Sequence, residues 1–300
     1  MDRLDVMKLF LRVVETGSFS NAGRSVGLGQ PSVSKHIGAL EEHLGTTLLR
    51  RSSRNLALTA EGRIYHEGIR QVLRKLEALE SSLASSAAPR GTLRVSMLAA
   101  FGRMYVMPRL AEFHRRYPQL ALEFDISERY VNLGEDAVDV AIRLGHFTDP
   151  RLALRRIGMA RVYTLAAPQY LARRGAPKTL GELDEHDCIG FMHRGEVHPW
   201  EFKTPEGKVP HVPKGPLCSN DVEYIRSALL DGVGIAHIPT WLVAQQLRAG
   251  SVVRVLGDYA PDDYPISVVW PAGAAPSAAI EALIEFLSEA CADHPELRGD

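Results

Sequence analysis

The 300-residue chain is 45% hydrophobic and 24% charged, the balance of a soluble globular protein with apolar material for two cores, and its formal net charge of -1 points to no partner. Residues 1–90 carry 13 Lys+Arg against 9 Asp+Glu and the remainder 22 against 27, so a mildly basic head precedes an acidic body, as suits a head that meets phosphates. No stretch has the length and apolarity of a transmembrane helix, and MDRLDVMKLFLRVVETGS mixes acids into its apolar residues, which excludes a signal peptide and predicts a cytoplasmic protein with no membrane partner.

The first elements read as three short helices. Leu4, Met7, Leu11 and Val14 recur at helical spacing, and Gly17 ends that run. Ser18 is a good N-cap for a second helix with Phe19, Ala22 and Val26 inward. Gly27-Leu28-Gly29 makes a turn, and Gln30-Pro31 opens a third helix, because proline in a first turn lacks only an N–H that had no partner there. Val33, Ile37, Leu40 and Leu44 form its apolar stripe, and Gly45 stops it. Two helices joined by a glycine turn, braced by a third, have the layout of a helix-turn-helix. The stripe leaves Gln30, Ser32, Ser34, Lys35 and Gly38 outward near the start of the third helix, where a recognition helix meets base edges and phosphates. A plain three-helix bundle with a polar face would share this pattern.

Next comes Leu48-Leu49-Arg50-Arg51-Ser52-Ser53-Arg54-Asn55-Leu56-Ala57-Leu58, which reads as two short strands around a basic tip, a wing. Arg50, Arg51 and Arg54 beside a recognition helix would sit over the sugar-phosphate backbone.

The run GSFSNAGRSVGLGQPSVSKHIGALEEHLGTTLLRRSSRNLALTAEG carries many residue types at fixed offsets. On that run, residues 1–65 resemble the LysR-type transcriptional regulators. The resemblance implies a homodimer or tetramer on paired half-sites of double-stranded promoter DNA, with Ser18, Gln30, Pro31, Ser32, Ser34, Lys35, Arg50, Arg51 and Arg54 as DNA contacts. Gly23 and Gly38 depart from the family pattern, and each helix-interior glycine is expected to cost roughly 1 kcal/mol relative to alanine.

From Thr59 a heptad stripe follows: Tyr65, Ile69, Val72, Leu76, Leu79 and Leu83 at spacings of four, three, four, three and four. Such a stripe packs on its own domain or on a second copy. Its length and the small-residue linker after it, SSLASSAAPRG, favour dimerisation, and the corresponding helix of the resembled family pairs with its mate.

After Gly91 short strands and helices alternate, the mark of α/β architecture. Strands are predicted at Thr92–Met97, Leu120–Ile126, Val138–Arg143, Val162–Ala167, Ile235–Ile238 and Ile266–Trp270. Leu217–Ser219 leads into a helix at Asp221–Leu230, and the last helix carries Ile280, Leu283, Ile284 and Leu287. Between Ala176 and Pro216 the elements are short and unresolved by pattern. GTLRVSMLAAFGRMYVMPRLAEFHRRYP, VDVAIRLG, AAPQYLARRGAPKTLGELDEHDCIGF and LLDGVGIAHIP resemble the LysR-type effector domain, which implies a two-lobed periplasmic-binding-protein-like α/β fold with crossings near Arg161–Leu165 and Pro265–Val269. The expected organisation is therefore multidomain: an all-α winged helix-turn-helix at 1–58, a long linker helix at 59–90 and an effector domain at 91–300. Lobe one takes 91–163 and 267–300, and lobe two takes 164–266.

Open α/β sheets bind ligands beyond the carboxyl ends of strands. That rule selects Ser96, Met97, Ala99, Ala100 and Phe101 at the first strand-to-helix turn, and Ser127-Glu128-Arg129 after the second strand. Arg143 at another strand end could pair with the carboxylate of a small organic anion, or with a carboxylate of its own lobe. Asn220 caps a helix or meets the effector, and His237 is a hydrogen-bonded core residue or a ligand group. No H-E-x-x-H or P-loop occurs, which argues against an enzyme, and no cofactor is implied. Cys188, Cys218 and Cys291 are odd in number and far apart, neither a disulfide framework nor a zinc motif, and they suit a reducing compartment. An exported solute-binding protein would have no use for residues 1–58.

Overall fold

The computed structural model describes residues 1–51, 56–83, 88–126, 133, 138–193, 195–272 and 275–298, and for 51, 74, 75 and 77–83 the backbone alone. The chain divides into two compact units, Met1–Ser85 and Ser86–Asp300.

In the first unit, helices α1 (Arg3–Thr16), α2 (Phe19–Ser25) and α3 (Gln30–Leu44) precede strands β1 (Leu49–Arg51) and β2 (Leu56–Leu58) and the 24-residue helix α4 (Ala60–Leu83). Asp2 and Asp5 close a capping box on α1, and Gly17 ends it in the left-handed region at φ +61°. The buried face of α1 is Leu9, Phe10 and Val13, one step round from the expected Leu4, Met7, Leu11 and Val14 stripe, whose members are half-buried. The core takes the large ring instead: Phe10 packs edge-on against Tyr65 of α4 at 5.5 Å. Val26 is exposed rather than inward, because it is the C-cap beyond the last turn of α2. Val33, Ile37 and Leu40 fill the core from α3 as the spacing predicts.

Gly23 has a role beyond its propensity. A Cβ there would lie 2.4 Å from the Leu28 carbonyl oxygen, and the Leu28 N–H donates back to the Gly23 carbonyl at 2.8 Å. The missing side chain is what lets the turn between α2 and α3 close, so its helix-propensity cost is offset locally.

The second unit begins with β3 (Gly91–Met97), α5 (Ala99–Phe101), a π-helical turn at Gly102–Val106, a 3-10 turn and α6 (Leu110–Arg116). Then come β4 (Leu120–Ile126), β5 (Val140–Leu144) and β6 (Leu152–Ala160). The next group is β7 (Val162–Ala166), α7 (Pro168–Arg174), β8 (Cys188–His193), β9 (Glu196–Val197), β10 (Trp200–Thr204), β11 (Gly207–His211) and β12 (Cys218–Ser219). It is followed by α8 (Val222–Leu230), β13 (Ile235–Pro239), α9 (Ala244–Arg248), β14 (Val253–Val255), β15 (Tyr264–Pro271) and α10 (Ala278–Ala292).

Two sheets result. Lobe one has the order β4-β3-β5-β15-β6, and lobe two has β12-β8-β13-β7-β14, with β9 beside β8. In lobe one β3 runs parallel to β4 and β5, while β15 returns antiparallel between β5 and β6. The first crossing is at Arg161, between β6 and β7. The second lies at 260–263, earlier than Pro265–Val269, because Tyr264 and Pro265 already pair with Ala160 and Met159 of lobe one. The lobe-one core gathers Val95, Ile142, Phe113, Leu283, Phe286 and Leu287 under α6 and α10, and it continues into lobe two through Leu165, Ile225 and Leu229. Trp200 and Phe202 of the β10–β11 hairpin cover the other face of the lobe-two sheet, over Ala166, Cys188 and Ile235.

Candidate functional site

The head presents the expected polar run. Gln30, Pro31, Ser32 and Lys35 are exposed at the start of α3, and Ser34 is half-buried. Ser18 caps α2 by accepting the Asn21 N–H at 3.3 Å. Gly38 is exposed with open space where a Cβ would point, so it leaves α3 bare at that edge. On β1, Leu49 faces the core and Arg50 faces outward, opposite Ala57 of β2. Arg51 belongs to the strand, its side chain lying outside the described residues, and Arg54 at the wing tip lies outside them altogether.

The wing is positioned by contacts from α3 and from the start of α4. Glu41, on α3, accepts the backbone N–H groups of Leu48 at 2.7 Å and Leu49 at 3.0 Å through one carboxylate oxygen. Thr59 donates to the Thr47 carbonyl at 2.7 Å and accepts the Gly62 N–H at 2.8 Å. A Cβ on Gly62 would sit 2.0 Å from the Leu48 oxygen, so only glycine lets α4 start against the wing. The spacing of a glutamate seven residues before a leucine pair carries no general signal.

Along α4 the heptad stripe divides. Ile69 and Leu73 are buried in the head, and Tyr65 packs on Phe10. Val72 is exposed, as is Ile64, which the stripe did not include. Leu76 is half-buried, and the side chains of Leu79 and Leu83 lie outside the described residues.

In the second unit Ser96, Met97, Ala100 and Phe101 are buried and Ala99 is half-buried. Arg143 is only 7% exposed, and its Nη2 donates to Ser96 Oγ at 3.2 Å. The adjoining Ser127-Glu128-Arg129 lies outside the described residues. Asn220 is exposed and is not the cap of α8. Asp221 is, accepting the Glu223 N–H at 2.8 Å, because the helix starts one residue later than an Asn220 cap requires.

His237 lies in lobe two, apart from the Ser96–Arg143 pair in its contacts. Its Nδ1 meets Thr164 Oγ1 at 3.0 Å, and its ring stacks on Trp200 at 5.5 Å and meets Phe202 at 5.0 Å. Its Nε2 is buried without a hydrogen-bond partner among the described residues. Burial lowers the imidazole to about 3, so it is neutral at physiological pH. Among the described residues no three His, Cys, Asp or Glu side chains gather as a metal site, and no helix is long and apolar enough to cross a membrane.

Comparison with known proteins accounts for both units. Residues 4–63 match the family described as bacterial regulatory helix-turn-helix protein, lysR family, and residues 86–292 match the LysR substrate binding domain. The HTH-type transcriptional regulator CrgA of Neisseria meningitidis is 33% identical over 285 residues, covering 94% of this chain and 95% of the relative. DmlR of Escherichia coli, an HTH-type transcriptional regulator, is 33% identical over 300 residues, covering 97% and 95%. The solved CrgA structure has a TM-score of 0.61 at 31% identity over 95% of this chain and 97% of its own. The full-length structure of AphB, a virulence activator of Vibrio cholerae, also has a TM-score of 0.61, at 26% identity over 95% and 98%. The chain belongs to the LysR-type transcriptional regulators: it is a DNA-binding transcription regulator with a C-terminal effector-binding domain, and not an enzyme.

Proposed function

We propose that the chain acts in the cytoplasm as a homodimer or tetramer on double-stranded promoter DNA, and that a small organic anion held near Ser96 and Arg143 alters that binding. The exposed run Gln30, Pro31, Ser32 and Lys35, with Ser34 beside it, supports base and phosphate contact from α3. Arg50, Arg51 and Arg54 supply phosphate contact from the wing, and Ser18 supplies it from the α2 cap. Exposed Val72 and Ile64 offer an apolar seam to a second copy, continued by Leu76, Leu79 and Leu83; Tyr65 and Ile69 hold the same helix to its own head.

The observation that carries the effector reading is the buried Arg143 guanidinium beside Ser96, at the carboxyl end of the central lobe-one strand. A guanidinium has five N–H donors, so a ligand carboxylate can join the acceptors around it. Met97, Ala99, Ala100 and Phe101 would line the apolar side. Asn220 and His237 remain candidate contacts from lobe two, with His237 as a neutral donor or acceptor. Lobe closure around the ligand would then change how the dimer presents its heads, through a coupling of about 1–3 kcal/mol.

The test is DNA binding by Arg143→Ala, measured by fluorescence anisotropy with a panel of small carboxylates. The variant should bind DNA as wild type does and lose the response to the carboxylate that moves wild type. An Arg143→Ala chain that melts much lower yet answers the same carboxylate with unchanged affinity would make Arg143 structural and place the anion elsewhere.

A further inference from the structure

Strand β6 ends where the chain first crosses between lobes, and the second crossover returns beside it. Between these segments and the C-terminal end of α10 lies a cavity of about 490 Å³, inside the roughly 300–1,000 Å³ that small-molecule sites occupy. Its walls are apolar at Met159, Leu297 and the buried Cys291, and cationic at Arg156 and Arg298. Neither guanidinium meets a carboxylate among the described residues: Arg156 reaches Met159 Sδ at 4.0 Å, and Arg298 donates through Nε to the Ala292 carbonyl at 2.6 Å. The neighbouring arginines differ. Arg155 holds Glu281 with both ends of its fork, and Arg161 pairs with Asp263 at 3.6 Å. Asp263 is the carboxylate on the cavity wall, so its charge is already opposed.

The cavity is distinct from the Ser96–Arg143 site. The two share no lining residue: Arg143 and Arg156 lie opposite the same Ser267 of β15 but on its two different neighbours, β5 and β6. The cavity runs from the β6 edge to α10, where a Cβ on Gly158 would touch Cys291 at 3.3 Å.

We propose that this cavity is a second ligand site, which takes a small carboxylate with an apolar body. The carboxylate sits against the guanidinium groups of Arg156 and Arg298, whose planar forks suit it. The body lies on Met159, Leu297 and Cys291. Both crossovers border the site, Met159 just before the first and Asp263 in the second, so an occupant bears on the segments about which the lobes hinge.

The test is ligand-observed fluorine NMR with para-fluorophenylacetate at millimolar concentration and the full chain. Its resonance should broaden with wild type and with Arg143→Ala, and stay sharp with Arg156→Gln/Arg298→Gln. The uncharged para-fluorophenylacetamide should stay sharp throughout. Arg156 and Arg298 are exposed, so the double variant should fold, which a circular-dichroism melt checks. Arg156→Gln alone, which leaves the Arg298–Ala292 bond in place, should already reduce the broadening. Equal broadening in the double variant, or none with wild type, overturns the proposal. Broadening lost in Arg143→Ala but kept in the double variant refutes the second site and leaves the proposed function standing.

Discussion

Replacing Glu41 with alanine should loosen the wing without touching a DNA contact. The carboxylate oxygen accepts two backbone N–H groups, from Leu48 and Leu49, and both leucines are buried. A hydrogen bond to a charged group contributes about 1.5–3 kcal/mol, and two donors sharing one oxygen give less than twice that, so the loss is about 3 kcal/mol. In a domain of this size each kcal/mol moves the midpoint by about 4–8 °C, which predicts a fall of about 12–24 °C for the head. Glu41→Gln keeps an acceptor without the charge and should lose about a third as much. Scanning calorimetry of the full chain reads this, with the effector-domain transition as the internal reference. DNA affinity should fall in step, because Arg50 rides on β1. A Glu41→Ala head that melts within about 3 °C of wild type would refute the reasoning, since water would then be replacing the carboxylate at little cost.

Three further outcomes follow from the structure. Val72→Asp should shift sedimentation toward monomer while the head's melting is unchanged, whereas Ile69→Asp should unfold the head; an unshifted mass in the first variant would remove Val72 from the seam. Burial lowers His237 to about 3 from an unfolded value near 6.5, so the unfolded chain binds the extra proton between those values. The stability is complete above about pH 6.5 and is lost as pH falls, at about 1.4 kcal/mol per unit and about 2 kcal/mol by pH 5. Urea melts at pH 7 and 5 should show that loss in wild type and not in His237→Gln; parallel losses would show that the ring is solvated. Burial pushes the Cys188 and Cys291 thiols up to about 12, while Cys218 is exposed. A thiol reagent at neutral pH should therefore react once per native chain, and Cys218→Ser should abolish that reaction; a second fast-reacting thiol would contradict the burial.

Much of this architecture is legible in residue order. The helix starts and stops of the head follow from Ser18, Pro31, Gly17 and Gly45, each of which acts within its own turn. Strand β4 falls at Leu120–Ile126 as its pattern requires. The nine-residue β6 is hidden because Arg155 and Arg156 interrupt its apolar residues; it is an edge strand, where two consecutive charged side chains can both remain exposed. The β10–β11 hairpin is hidden by proline and charge on its outer face, while Trp200 and Phe202 turn inward with His211 packed against them. Stripe assignments on α1 and α4 are ambiguous by one face, since neighbouring apolar residues offer two nearly equal seams. Contacts remote in sequence select one, among them Phe10–Tyr65, between residues 55 positions apart. The same distance effect conceals the supports of the wing and the cavity beside β6, which exist only once remote segments meet.

The central claim is that the start of α3 reads base sequence, and one measurement addresses it directly. Fluorescence anisotropy would compare wild type and Gln30→Ala on DNA from upstream of the chain's own gene and on a scrambled duplex of equal length, at one fixed salt concentration. Wild type should prefer its own DNA strongly, and Gln30→Ala should lose about 1–3 kcal/mol of that preference while keeping its affinity for the scrambled duplex. Equal affinity of wild type for the two duplexes, or a preference untouched by Gln30→Ala, would contradict the account.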